Sequence, residues 1–151
     1  MNDLRELYEE VILDHNRNPR NYPCKPEGTN CSAHGFNPLC GDEFEVHLKV
    51  DDDVVTEAGF EGSGCAISTA SASLMTERLK GMKVGDIEEL FNEVHDLLTD
   101  EQQAGNSSEF LGKLTVLTGV KEYPMRVKCA TLAWHTMLAA LHEKQDTICT
   151  E

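Results

Sequence analysis

Three of the six cysteines stand where the chain must change direction. Cys40 lies in Asn37-Pro38-Leu39-Cys40-Gly41-Asp42, a turn sequence directly ahead of an alternating apolar and polar run. Cys65 closes Gly62-Ser63-Gly64-Cys65, at the start of a helix-forming stretch, and Cys129 follows Arg126 and Lys128 in the first turns of the last helical pattern. Helix N-termini and neighbouring cations both favour thiolate over thiol, and the thiolate is the form that attacks and that binds metal. The three are too widely spaced for a zinc finger or a Cys-x-x-Cys redox pair. Should they converge, one more ligand completes a tetrahedral zinc site. Asp42 is the local candidate, because positions two apart in an extended segment point the same way. Arg126 and Lys128 are cations suited to support thiolate character near Cys129. A lone cysteine is also commonly a small buried apolar side chain, and spacing by itself leaves both readings open for the triad. For Cys24 in a proline-rich loop, Cys31 on an expected short strand and Cys149 in the tail, the core or bystander reading is the expectation.

The elements that must position these residues follow from periodicity. Leu4, Leu7, Tyr8, Val11 and Ile12 repeat at helical spacing over 3–16, and Asn18-Pro19 ends that helix because the residue before proline avoids the helical region. A short strand is expected over 29–35. From Glu43 to Val50 alternation is complete, with Phe44, Val46, Leu48 and Val50 on one face and Glu43, Glu45, His47 and Lys49 on the other. Asp51–Asp53 makes a turn, and Val54–Phe60 returns as the hairpin partner. A helix over 65–80 has small residues throughout its first half, which lets another backbone come close. Asp86 with Glu89 forms a capping-box pattern for the next helix, whose apolar face carries Val84, Ile87, Leu90, Phe91, Val94, Leu97 and Leu98. A short helix is expected within 110–120, and a long one over 124–144 with Pro124 in its first turn. Strands followed by helices give an α+β domain, here a small antiparallel sheet of about three strands packed by several helices.

With 151 residues the chain fits one domain spanning 1–151, long enough to hold a core without disulfides. Its 13 basic and 27 acidic residues leave a net charge of −14, which argues against tracking nucleic-acid phosphates and against an anionic membrane surface. No apolar run reaches the length of a membrane span. The N-terminus carries no signal-peptide core, giving the expectation of a cytoplasmic protein whose thiols stay reduced. Between Val84 and Gly112 there are eight acidic residues and no Lys or Arg, a solvated helix face or a docking surface for a basic partner. No phosphate-binding loop, His-Glu-x-x-His pair or Gly-x-Ser-x-Gly elbow is present.

Asn-Pro-Leu-Cys-Gly-Asp at 37–42, Gly-Ser-Gly-Cys-Ala-Ile-Ser-Thr-Ala-Ser at 62–71 and Arg-Val-Lys-Cys-Ala at 126–130 together resemble the iron–sulfur assembly family of IscU, the N-terminal part of NifU, and SufU. The resemblance runs from the first helix to the last. It implies the SufE/NifU (IscU)-like fold and a shared site made of Cys40, Asp42, Cys65 and Cys129. Within the family the chain is similar to the SufU branch: Lys128 stands where the scaffold branch has a histidine, Tyr-Pro-Met-Arg-Val-Lys replaces that branch's chaperone-recognition segment, and the 110–122 region fits the SufU insertion. The implied role is that of a zinc-bound sulfur acceptor, with Cys40 taking persulfide sulfur from a pyridoxal-phosphate cysteine desulfurase of the SufS type. Arg126 would support the thiolates and contact Asp42 or the partner, and the sulfur would pass to a downstream iron–sulfur scaffold. The alternative it implies is a scaffold assembling iron and sulfide into a [2Fe–2S] cluster on the same residues.

Overall fold

The computed structural model describes residues 3–38, 41–99, 112, 114, 116–117, 120, 124–142 and 148–149. Helix α1 (Asp3–Arg17) leads through a Pro- and Asn-rich stretch to strands β1 (Cys31–Asn37), β2 (Asp42–Asp51) and β3 (Val54–Ser63). Helices α2 (Ala66–Leu79), α3 (Val84–Thr99) and α4 (Pro124–Leu141) follow, and a two-residue strand β4 (Ile148–Cys149) comes last. The sheet order is β3-β2-β1-β4. β1, β2 and β3 are antiparallel, as alternation and the turn residues predict, and β4 adds a parallel edge to β1 through Gly35 and Phe36. Two residues cannot display a period, so β4 left no mark in the sequence pattern.

β1 lies two residues later than expected, and Asn37 therefore pairs with Asp42 at the head of β2. The Gly41 N–H donates to the Asn37 carbonyl at 2.8 Å. Cys40 itself lies outside the described residues. β3 runs on past Phe60, because Glu61, Gly62 and Ser63 keep pairing with Glu45, Phe44 and Glu43. Gly62 is a requirement of that pairing. Gly62 has φ 121°, and a Cβ there would stand 2.1 Å from the Glu43 carbonyl.

Phe44, Val46 and Leu48 of β2 turn one face of the sheet toward the helices, where they meet Trp134 and Met137 of α4 and Leu74 and Met75 of α2 in one core. The free edge of β3 is covered by the preceding loop: the Cys24 N–H donates to the Phe60 carbonyl and the Phe60 N–H to the Asn21 carbonyl, each at 3.1 Å. α3 begins at Val84, two residues before the expected Asp86 cap. The Val84 N–H donates to the Asp53 carbonyl at 2.8 Å, and Lys83 bridges Val54, so the β2–β3 turn anchors the helix start and Asp86 falls within the first turn. Ile87, Leu90, Val94, Leu97 and Leu98 are buried as the period required. In the 110–120 region the described residues sit in 3-10 turns rather than an α-helix, with Leu114, Val116, Leu117 and Val120 buried. No helix among the described residues is long and apolar enough to cross a membrane.

Candidate metal centre

The small residues of α2 are what bring the distant cysteines together. The Ser71 hydroxyl donates to the Ala130 carbonyl at 2.6 Å, and Trp134 Nε1 donates to Ser71 Oγ at 3.1 Å. One buried serine thus fastens the α4 backbone to α2 next to Cys129. Cys65 is the N-cap of α2, with an extended backbone, and its sulfur accepts from the Ser68 N–H at 3.5 Å. Cys129 is fully buried on the facing turn of α4.

Asp42, at the first position of β2, reaches the same place and is only 1% exposed. A carboxylate so deeply buried needs hydrogen-bond donors, and it has them at the start of α2. Oδ1 accepts from the Cys65 N–H at 2.9 Å, while Oδ2 accepts from the Ser68 hydroxyl and lies 3.9 Å from Cys65 Sγ. The Ser68 hydroxyl also lies 3.1 Å from the Cys129 carbonyl, so this one side chain touches both Asp42 and the α4 backbone. Gly64 makes room for the arrangement: a Cβ there would sit 2.8 Å from Phe44 Cζ and 3.0 Å from Asp42 Oδ1.

The ligand atoms of Asp42, Cys65 and Cys129 all lie within 4.8 Å of one another. Sulfurs on one tetrahedral zinc stand about 3.8 Å apart, so two thiols and a carboxylate this close fit a common ion after small rotations. Among the described residues no histidine joins this group. Arg126 borders it on the exposed side of α4. The Cys65 thiolate, and after it Cys129, raise the Arg126 pKa against the opposing effect of burial, with hydrogen bonds to both sulfurs contributing. The groups that act on it are the two sulfurs, Cys65 first. Lys128 is exposed.

Of the residues singled out in the sequence, the fold gathers Asp42, Cys65, Cys129 and Arg126, while Cys40 falls outside the described residues. Cys31 packs half-buried against the core and Cys24 lies half-buried against Gly59. Sequence reasoning missed Ser68 and Gly64. The signal for Ser68 was its position three residues after an N-cap, the place from which a side chain and its amide both face the cap.

Comparison with known proteins places the chain. A model of the NifU-like N terminal domain matches residues 7–130. The zinc-dependent sulfurtransferase SufU of Bacillus subtilis is 38% identical over 135 residues, covering 89% of each chain. The iron–sulfur cluster assembly scaffold protein IscU of Thermotoga maritima is 44% identical over 141 residues, 91% of this chain and 94% of the other. In structure the chain is similar to a SUF-system protein of Fervidobacterium islandicum AW-1 assigned as an iron–sulfur cluster assembly scaffold, with a TM-score of 0.81 and 32% identity over 91% of this chain and 98% of that one. The fold, the serine-fastened cysteine pair and these likenesses agree: the chain belongs to the NifU-like N-terminal domain family of iron–sulfur cluster assembly, alongside SufU and IscU.

Proposed function

We propose that this protein is a zinc-bound sulfur acceptor that takes persulfide sulfur from a pyridoxal-phosphate cysteine desulfurase on Cys40 and passes it on for iron–sulfur cluster assembly. The observation that carries the reading is the composition of the cluster: Asp42, Cys65 and Cys129 converge with no histidine among the described residues, and Arg126 faces both sulfurs. With Cys40 as fourth ligand the donor set is three thiolates and a carboxylate, which suits zinc. Bound there, zinc would keep the thiolates ionised without supplying redox chemistry.

The chain's own residues do the rest. Asp42 is held at the start of α2 by the Cys65 amide and the Ser68 hydroxyl. Arg126 offsets the negative charge of the sulfurs at the exposed side of the cluster, where an incoming persulfide would bring more. In the transfer, the Cys40 thiolate attacks the terminal sulfur of the donor persulfide. A new S–S bond forms at Cys40, the donor's S–S bond breaks, and the donor cysteine leaves as a thiolate. No oxidant or reductant is consumed.

The identity to the Thermotoga scaffold, higher than that to SufU, favours a second reading in which iron and sulfide are the cargo, assembled as a [2Fe–2S] cluster on the same residues. Cysteine turnover by a SufS-type desulfurase, measured with and without this protein carrying one zinc, separates the two. Severalfold stimulation that disappears in Cys40→Ala supports the acceptor. No stimulation, with the zinc-free protein gathering iron and sulfide into a coloured cluster, gives the scaffold.

A further inference from the structure

β2 has two chemically different faces. Asp42, Phe44 and Val46 turn toward the helices, whereas Glu43, Glu45 and His47 lie on the opposite side. On that outer face the register sets His34 of β1 opposite Glu45 and Glu45 opposite Glu61 of β3, one row across three strands. The sequence pattern put His47 on the polar face with Glu43, Glu45 and Lys49, yet it is 3% exposed. Its neighbour across the pair is Gly59, over which Cys24 lies so closely that a Cβ would meet the Cys24 carbonyl at 2.6 Å.

Burial has left this imidazole held at both nitrogens. Nδ1 is 2.8 Å from Ser32 Oγ, and Nε2 is 2.7 Å from Glu61 Oε2. Glu45 completes a group whose ligand atoms all lie within 4.8 Å of one another. An imidazole fixed through one nitrogen, with one carboxylate on the other and a second within 4.8 Å of the group, is an arrangement by which proteins hold a metal-ligating histidine. The ring can exchange a proton for a cation without becoming charged. In the tautomer with the proton on Nε2, that N–H donates to Glu61 and Nδ1 accepts from the Ser32 hydroxyl. With the proton moved to Nδ1 and the Ser32 hydroxyl turned to accept it, the Nε2 lone pair points at the carboxylates. An open hollow lined by His34, Glu43, Glu45 and Glu61 adjoins the group and leaves room for water ligands.

We propose that Glu45, His47 and Glu61 form a second cation site, on the opposite face of the sheet from the cysteine cluster, for one divalent first-row ion. One imidazole and two carboxylates suit borderline ions such as zinc, cobalt or iron(II) rather than the thiophilic chemistry of the cysteines. The proposal is independent of what the cysteine cluster does.

Cobalt(II) added to protein already carrying one zinc equivalent is the probe, since zinc outcompetes cobalt at a given site. One cobalt equivalent should bind with visible d–d absorption and no sulfur-to-cobalt charge transfer. Glu45→Gln and Glu61→Gln, at exposed and half-exposed positions, should each weaken it at least about tenfold while retaining the zinc. Circular dichroism checks that both variants remain folded. Absence of cobalt binding, bands with sulfur charge transfer only, or wild-type affinity in either variant overturns the proposal. Cobalt seated on the cysteines is visible by its charge transfer, so failure of that cluster to keep zinc is told apart from failure of this site.

Discussion

The Ser68 hydroxyl donates to Asp42, joining the first turn of α2 to a carboxylate that is almost wholly buried at the head of β2. Ser68→Ala leaves Oδ2 without that donor, and an unsatisfied buried acceptor costs about 1–3 kcal/mol. The expected result is a loss of that size in the urea stability of the metal-free protein. A midpoint equal to wild type would show that the bond contributes nothing to the fold.

Arg126 is at the exposed side of α4, so its replacement should barely touch stability, within about 0.5 kcal/mol. Its charge acts on the two sulfurs. Under the acceptor reading, Arg126→Ala should slow sulfur acceptance by about tenfold or more with zinc content unchanged, and Arg126→Lys should restore part of the rate. Equal rates in all three proteins would remove Arg126 from the mechanism.

Two glycine-to-alanine changes make a matched pair. At Gly64 the new methyl meets Phe44 and Asp42 Oδ1, while at Gly85, in the first turn of α3, nothing lies within 4 Å. Gly64→Ala should destabilise by about 1–3 kcal/mol through overpacking and weaken zinc binding by about 10–100-fold through displacement of Asp42. Gly85→Ala should be neutral or stabilising by up to about 1 kcal/mol, since alanine is the better helix former. Chemical denaturation and competition with a chromophoric chelator report both quantities.

His135 stacks edge-on against Phe91 at 5.2 Å and lies 6.0 Å from His95 between α3 and α4. Burial first, and the neighbouring His95 second, lower its pKa from the ordinary 6.5. Below that value the unfolded chain takes up a proton that the folded one refuses, so stability falls as the pH drops from about 7 toward the folded pKa. The limit for one proton is about 1.4 kcal/mol per pH unit. His135→Phe, which keeps an aromatic ring, should flatten the difference between urea melts at pH 7.5 and 5.5. An unchanged difference would assign the pH dependence to other groups.

The alternation of Glu43–Val50 was enough to read β2 and its apolar face, and the three cysteine-bearing segments were enough to read the family. Asp42 was legible because of its spacing from Cys40. His47 was placed on the correct face but its burial was not legible, because period two sorts the faces of a strand but says nothing about what lies over them. Ser32 and Glu61 hold its two nitrogens, and Cys24 lies against its cross-strand neighbour Gly59, contacts between segments far apart in sequence. The start of α3 was misplaced for a similar reason: a local capping pattern lost to a backbone hydrogen bond from the β2–β3 turn. Arg126 was legible as a cation near the thiols, but its position beside Cys65, across the gap from α4 to α2, was not, since sequence gives the charge and not the direction of a long side chain.

Cys65 caps α2, whereas Cys129 is delivered by α4, which is fastened in place by Ser71 and Trp134. The consequence is one of timing during synthesis. A nascent chain that has not yet reached Pro124 carries Asp42 and Cys65 beside a sheet whose apolar underside still lacks the wall that Trp134 and Met137 provide. Docking of α4 supplies that wall and Cys129 in a single step, so the ribosome must release most of the chain before the thiol pair exists.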